Sequence, residues 1–343
     1  MAHYAFEDIE PLQALAIRAT DSLTMASARY ALVLINPLGS SLPDHISIST
    51  ADRTVVFGAE VGALVRAGRL QTDDGSRLFI GDGAHENVAG AAGADALYGG
   101  DGNDTLSGGG GDDFLQGNKG DDSLSGGEGI NLVFGGQGDD MIRAADGAPN
   151  GTFAHGNMGR DTVIGGGGDD ILLGGKDDDS LSGGDGRDFI SGDLGDDRID
   201  GGAGSDTLIG ADGSDTLDAG GGVDLLLGGA GADRFSLADG DLPASGRLAV
   251  IGDWQGIDRL DFGLVHAQQV GLDIYAEDVA GGYAEALVKA TAIFLQGKTY
   301  AGVQVGTDVL VFANTDLNAA DGPETAVVLA GRTLADIDDA NFF

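Results

Sequence analysis

From Gly81 to Ser236 the chain repeats itself every nine residues, with one interruption. Copies in register read Gly99-Gly-Asp-Gly-Asn-Asp-Thr-Leu-Ser107, Gly165-Gly-Gly-Gly-Asp-Asp-Ile-Leu-Leu173, Gly183-Gly-Asp-Gly-Arg-Asp-Phe-Ile-Ser191 and Gly201-Gly-Ala-Gly-Ser-Asp-Thr-Leu-Ile209. The pattern is Gly-Gly-x-Gly-x-Asp-x-U-x, where U is apolar, and sixteen copies hold the register. A fixed short period restricts the fold to a solenoid, in which each unit buries its apolar residue only by stacking on its neighbours.

Each part of the repeat has a physical task. The glycines at positions one, two and four permit positive φ and close backbone approach, as a tight turn between short stacked strands requires. Asp at position six supplies a carboxylate, and glycine-rich turns expose backbone carbonyls beside it. Oxygen-only ligands suit Ca2+, a hard cation that takes ~6–8 oxygens. Position eight lies in a short strand whose neighbours point the other way, so one residue per repeat faces a core. From Leu97, Leu106 and Leu115 through Leu226 and Phe235, none of these residues is polar. A Gly/Asp-rich tract can also be a solvated linker. The unbroken apolar register argues against that for the calcium-loaded chain and leaves it open for the calcium-free one.

On these residues the tract resembles the RTX family of secreted bacterial proteins, over nearly half of the chain. The resemblance implies an all-β-dominated chain built on a right-handed parallel β-roll, two repeats to a coil, with multiple Ca2+ ions sandwiched between the turns of repeats n and n+2. With strands stacked at ~4.8 Å, about eight coils make a roll on the order of 40 Å long. The implied metal ligands are Asp95, Asp104, Asp113, Asp122, Asp140, Asp161, Asp170, Asp179, Asp188, Asp197, Asp206, Asp215, Asp224 and Asp233, with turn glycines such as Gly99, Gly108, Gly165, Gly183 and Gly201. Departures mark weaker sites: Glu86 and Asn131 replace the sixth-position Asp, Asp177 the fourth glycine and Ala219 the first. A twelve-residue piece, Ala144 to His155, stands in place of one repeat. It is expected to form one enlarged half-coil, with Pro149-Asn150-Gly151 bulging out and Phe153 in the apolar slot.

Three segments follow. Residues 1–80 form a β-rich N-terminal cap, with an amphipathic helix expected over Leu12 to Ala28 and strands at Tyr30–Ile35, Ile46–Ser49, Thr54–Phe57 and Arg77–Ile80. Residues 81–236 form the roll. Residues 237–343 form an α+β C-terminal cap, with a helix around Gly282 to Phe294, strands at Ala301–Val305, Asp308–Phe312 and Ala326–Leu329, and a last helix from Leu334. Caps are expected because the end of a repeat stack presents unpaired strand edges. Val250-Ile-Gly-Asp-Trp-Gln-Gly-Ile-Asp-Arg-Leu-Asp-Phe262 resembles the segment that closes RTX rolls. Trp254 reads as a plug over the last coil, and Asp253, Asp258 and Asp261 as candidates for a terminal calcium site. The final Leu334 to Phe343 resembles RTX export tails. The resemblance therefore implies a whole protein, exported by type I secretion machinery without a cleaved N-terminal signal, to the cell surface or beyond.

The formal net charge is -38, from 56 acidic and 18 basic residues. Such a surface repels nucleic acid and anionic membranes. About a dozen Ca2+ ions would return about +24 of that charge. There is no cysteine, so neither disulfides nor thiolate metal sites are available. No apolar run reaches the ~18–20 residues of a membrane span, and the first ten residues lack the basic and apolar regions of a Sec-type signal.

Catalytic motifs fail one by one. The five histidines are scattered and form no H-E-x-x-H, and no G-x-S-x-G occurs. Ala292-Ile-Phe-Leu-Gln-Gly-Lys-Thr299 approaches a P-loop but lacks its first glycine and follows an expected helix. Asn314 to Thr325 begins like an EF-hand but places Ala319 and Thr325 at positions six and twelve. No catalytic residue is assigned. The expected function is non-enzymatic: a calcium-binding protein that folds after export and assembles with its own kind into a surface layer, filament or biofilm matrix. The alternative is an enzyme, toxin or adhesin whose site lies in the terminal domains.

Overall fold

The computed structural model describes residues 3–5, 22–25, 32–35, 46–49, 54–57, 70–72, 77–81, 83–143, 151–237, 249–255, 258–261, 275–280, 286, 289–290, 300–313, 325–337 and 341. It divides into two compact units, Met1–Asp161 and Thr162–Phe343. Each is built on a parallel β-solenoid, about eight turns in all, and among the described residues helix is nearly absent.

In the first unit, the odd half-coils stack as Leu78–Ile80, Ala96–Asp101, Phe114–Lys119, Leu132–Gln137 and Phe153–Met158. The alternate half-coils, Asn87–Ala89, Thr105–Gly110, Ser123–Glu128 and Met141–Arg143, form a second parallel sheet. Register advances by two repeats per coil, so Leu97 pairs with Leu115 and Leu106 with Leu124. Position eight therefore always meets position eight, and from Leu97 on these side chains are buried, while Phe79 and Val88 at the start are half-buried. Side-chain alternation does the rest, because positions seven and nine must point outward if position eight points in. On one outer face Tyr98, Phe114, Phe134 and Phe153 form a ladder of tilted rings with centroids 5.3 to 5.7 Å apart.

The interrupted repeat corrects one expectation. Leu132 pairs with Phe153 and Val133 with Ala154, so Ala154, fully buried, fills the apolar slot. Phe153 takes a seventh position and packs its ring on Phe134 at 5.5 Å. The bond from Asp140 N–H to Asp161 spans 21 residues where its neighbours span 18. The insertion is thus three residues, and the rest is a repeat with an altered sequence. Pro149 and Asn150 lie outside the described residues.

Upstream, His3–Ala5, Ser22–Met25 and Leu70–Thr72 form a parallel sheet, and Leu32–Ile35, Ile46–Ser49 and Thr54–Phe57 an antiparallel meander. The meander matches the strands read from sequence. The helix expected over Leu12 to Ala28 does not hold at Ser22–Met25, whose backbone is committed to strand partners on both sides; its other residues lie outside those described.

In the second unit two parallel sheets show the same alternation, one from Ile171–Lys176 to Leu225–Ala230 and one from Thr162–Gly167 to Arg259–Asp261. The first sheet runs on through Ala249–Ile251 to Thr325–Leu329, Asp308–Ala313, Tyr300–Val305 and Tyr275–Ala280. The strand edge at the end of the coils is thereby paired, which removes a template for uncontrolled strand addition. Ala286, Ala290, Ala301, Val303, Leu310, Phe312 and Ala326 make the core of this closing sheet. Trp254 is fully buried against Phe235, ring centroids 6.1 Å apart, and its Nε1 donates to the Asp336 carbonyl at 3.3 Å. The plug read from the sequence is in place.

The two expected helices fare differently where they are described. Ala286, Lys289 and Ala290 are helical, while the other residues from 282 to 294 lie outside those described. The helix expected from Leu334 opens as a 3-10 turn, Leu334–Asp336, with a reciprocal Thr333–Asp336 capping box and an extended Ile337 after it; residues 338–340, 342 and 343 lie outside those described. Its sequence places an acidic residue where the box needs one and then offers no apolar stripe to prolong a helix.

Ala211 stands at the second repeat position, usually glycine, with φ 82°. A Cβ in that left-handed region costs about 1–2 kcal/mol. Ala211→Gly is expected to stabilise the calcium-loaded protein by about 1 kcal/mol, read as a higher denaturant midpoint; a lower midpoint would contradict the assignment.

Candidate metal centre

The sixth-position aspartates form ladders along the turns. Each main-chain N–H donates to Oδ1 of the aspartate one coil on: Asp95 to Asp113, Asp104 to Asp122 and Asp122 to Asp140 at 2.7 to 2.8 Å in the first unit. In the second unit one ladder runs Asp170, Asp188, Asp206, Asp224, and another Asp179, Asp197, Asp215, Asp233, with bonds of 2.8 to 3.0 Å. All fourteen candidate aspartates are 1 to 3% exposed.

Oδ1 is thus satisfied by protein. Oδ2 of Asp104, Asp113, Asp122, Asp140, Asp188, Asp197, Asp206, Asp215, Asp224 and Asp233 is buried without a hydrogen-bond partner. What it faces explains why. A Cβ built on Gly99 would collide with Oδ2 of Asp104 and lie 2.7 Å from the Gly117 carbonyl oxygen. Gly108 and Gly183 meet the same pair of groups, Asp113 with the Gly126 carbonyl and Asp188 with that of Gly201, the carbonyls at 2.5 Å. Gly165 meets Asp170 and the Gly183 carbonyl, and Gly201 meets Asp206 and the Ala219 carbonyl, each carbonyl at 2.6 Å. Carboxylate and carbonyl oxygens converge on each glycine cradle.

This donor set fits Ca2+, which accepts mixed carboxylate and carbonyl ligation. Among the described residues no three acidic or imidazole side chains converge at one point. A cation here takes at most two carboxylates and draws its remaining oxygens from the backbone. Zinc or another N/S-preferring metal finds nothing suitable.

Without a cation the carboxylates are strained electrostatically. Burial pushes Asp140 up to about 8, Asp113 and Asp215 to about 7, and Asp122, Asp197, Asp206 and Asp258 to about 6. The N–H bonds described above pull the other way, and neighbouring carboxylates add to the rise.

The ladder is not uniform. Asn131 accepts from Asp113 N–H at 2.9 Å as an aspartate would, but turns its Nδ2 toward the Gly127 carbonyl at 3.4 Å. One coil on, Thr152 holds the equivalent position, as the Leu132–Phe153 register requires. Sequence reasoning missed Thr152; counting nine residues back from Asp161 finds it. Of the three candidates at the roll's end, Asp258 continues the ladder, accepting from Asp233 N–H at 3.2 Å and from Gln255 N–H. Asp253 accepts from Gly228 and Gly229 N–H. Asp261 is not brought to them: it lies at an outward position, paired with Arg234.

Fold and site together define a calcium-binding parallel β-solenoid. A family model described as the RTX calcium-binding nonapeptide repeat, four copies, matches residues 80–115, 116–148, 155–190, 174–208 and 209–241, so this array is one of RTX calcium-binding repeats. Its cofactor is Ca2+, at multiple sites. No curated protein matches the chain. Among solved structures, the extracellular lipase LipA from Serratia marcescens is similar at 18% identity, over 80% of this chain and 40% of that one, with a TM-score of 0.16. The chain therefore spans well under half of the lipase, and a likeness that shallow carries no argument about fold or activity.

Two outcomes test the site. Asp206→Ala removes one carboxylate and leaves the buried Asp188 N–H without its acceptor, at a cost of about 1–3 kcal/mol; Asp206→Asn keeps the acceptor and loses only charge. Hydrogen exchange should show both losing calcium-dependent protection near residues 188–224, Ala more than Asn, with distant coils unaffected. Loss across the entire array would contradict this. The second concerns pH. The folded, metal-free array binds protons more tightly than the unfolded chain, whose carboxylates titrate near 3.8. Its stability in chelator must therefore rise as pH falls from about 8 toward 4, and apparent calcium affinity must fall over the upper part of that range. Chelated thermal melts that are flat from pH 8 to 5 would refute the sign.

Proposed function

We propose that this protein is secreted, non-enzymatic and structural: it leaves the cell unfolded, folds when extracellular calcium fills the fourteen aspartate turns, and joins copies of itself into an extracellular layer, filament or matrix. The observation that carries the reading is the set of buried Oδ2 atoms without a hydrogen-bond donor, beside backbone carbonyls that converge on the same glycines. In a calcium-poor compartment these groups oppose folding, because burying unpaired charge is expensive. Outside, ion binding becomes folding free energy.

Several features support the finer points. The RTX repeats support export by type I machinery, and the acidic tail from Leu334 fits it. A net charge of -38 keeps the unfolded chain extended and apart from nucleic acid. Among the described residues no helix is long and apolar enough to cross a membrane. A structural role is supported by the share of the chain given to repeats and by the lack of the hydrolase motifs H-E-x-x-H and G-x-S-x-G. End-to-end contact between copies would be heterologous and extend without closing.

The test is a calcium titration of chelated protein, followed by circular dichroism and light scattering together. β-structure and large particles appearing in parallel are expected. β-structure without growth in size would remove end-to-end assembly and keep calcium-driven folding; no change in β-structure would remove both.

A further inference from the structure

The two sheets of the solenoid differ on their outer faces, and the second unit shows it most clearly. On the sheet from Ile171–Lys176 to Ala249–Ile251, positions seven and nine carry Ile171, Leu173, Phe189, Ile209, Leu225 and Leu227, and none of the nine residues at those positions is ionisable; the ionisable residues of these strands, Lys176, Asp193 and Asp212, sit at positions two and three beside the turn. On the opposite sheet six of twelve are, namely Arg198, Asp200, Asp218, Arg234, Arg259 and Asp261. The apolar row is open to solvent: Ile171 is 44%, Phe189 40% and Leu225 39% exposed. The glycine turns do not require this, since they accept arginine at the same seventh position on the other sheet.

We infer that this uncharged sheet face is a self-association surface, on which a second copy of the chain packs face to face. Contiguous exposed apolar surface marks an interaction site in a soluble protein. Charge selects the occupant. A basic partner would gain nothing from a face without charge, and would seek the acidic turns. Two copies of a chain carrying -38 repel wherever those turns approach, and this face lets them meet without opposing like charges. Flat sheets pack on one another at ~10 Å with interdigitated side chains, and one patch on both copies gives a closed, isologous pair. The face exists only once calcium has folded the coils, so pairing follows calcium. It needs the folded array and not the end-to-end contact proposed above.

The experiment is sedimentation velocity of the full chain in millimolar calcium, beside Ile171→Arg/Phe189→Arg/Leu225→Arg and the control Ser180→Arg/Thr216→Arg on the opposite sheet. A row of six apolar side chains can make only a small specific interface, so wild type should pair at roughly 10–100 μM. The triple variant should pair at least tenfold more weakly with an unchanged calcium-induced dichroism signal, and the control should behave as wild type. Single Phe189→Arg serves if the triple variant fails to fold, with a smaller loss in the same direction. Wild type that is monomeric at ~100 μM while fully folded overturns the proposal, whether the face is then covered by the chain itself or floats with neutral phosphatidylcholine vesicles. So does equal association of wild type and triple variant, which places the contact elsewhere. Loss of the dichroism response in wild type would instead refute calcium-driven folding.

Discussion

A carboxylate withdrawn from water, with one oxygen bonded to a backbone N–H and the other buried without a donor, has two stable outcomes: it takes up a proton or it takes up a cation. The main features of the array follow from repeating that situation at most of its turns. Glycine is required at first positions such as Gly99 and Gly183 because a Cβ there would occupy the space where Asp104 or Asp188 Oδ2 and a carbonyl of the next coil converge. The apolar eighth position is required because coils tied at their turns must still bury a core between two sheets. Neither part suffices alone. One aliphatic or aromatic side chain per nine residues is a thin core, and the buried charges oppose it until they are neutralised.

Variation along the array shows the same constraint from the other side. Where Asn131 replaces aspartate, the hydrogen-bond ladder continues and the negative charge is gone, with an amide N–H turned toward the Gly127 carbonyl. At Thr152 the carboxylate is again missing, one coil on. The first unit thus has two successive positions with lowered demand for a cation, whereas both second-unit ladders keep aspartate throughout. At the end of the coils Trp254 and the closing sheet replace the next repeat, and Asp258 supplies the last rung.

Much of this was legible in the sequence. The nine-residue period alone placed Leu97 to Phe235 in the core and the sixth-position aspartates in the turns, since position fixes the side-chain direction in a strand. Where the period broke, reading by side-chain bulk put Phe153 in the core, and register put Ala154 there. The apolar outer face around Phe189 needed a longer period: only residues eighteen apart share a sheet, so its contrast with the face around Arg198 is invisible within one repeat. Beyond the array, strands with local partners such as Ile46–Ser49 were legible. The extended backbone at Ser22–Met25 was not, because its partner strand at Leu70–Thr72 is distant in sequence.

The most direct measurement of the central claim is amide hydrogen exchange across residues 81–236 with and without calcium. If buried carboxylates hold the coils apart until a cation bridges them, the amides of Asp104, Asp122, Asp188 and Asp206 exchange freely in chelator and become protected together with the eighth-position amides on adding calcium. Equal protection in chelator at pH 7.5 would show that the coils stand without the metal, and would contradict the account.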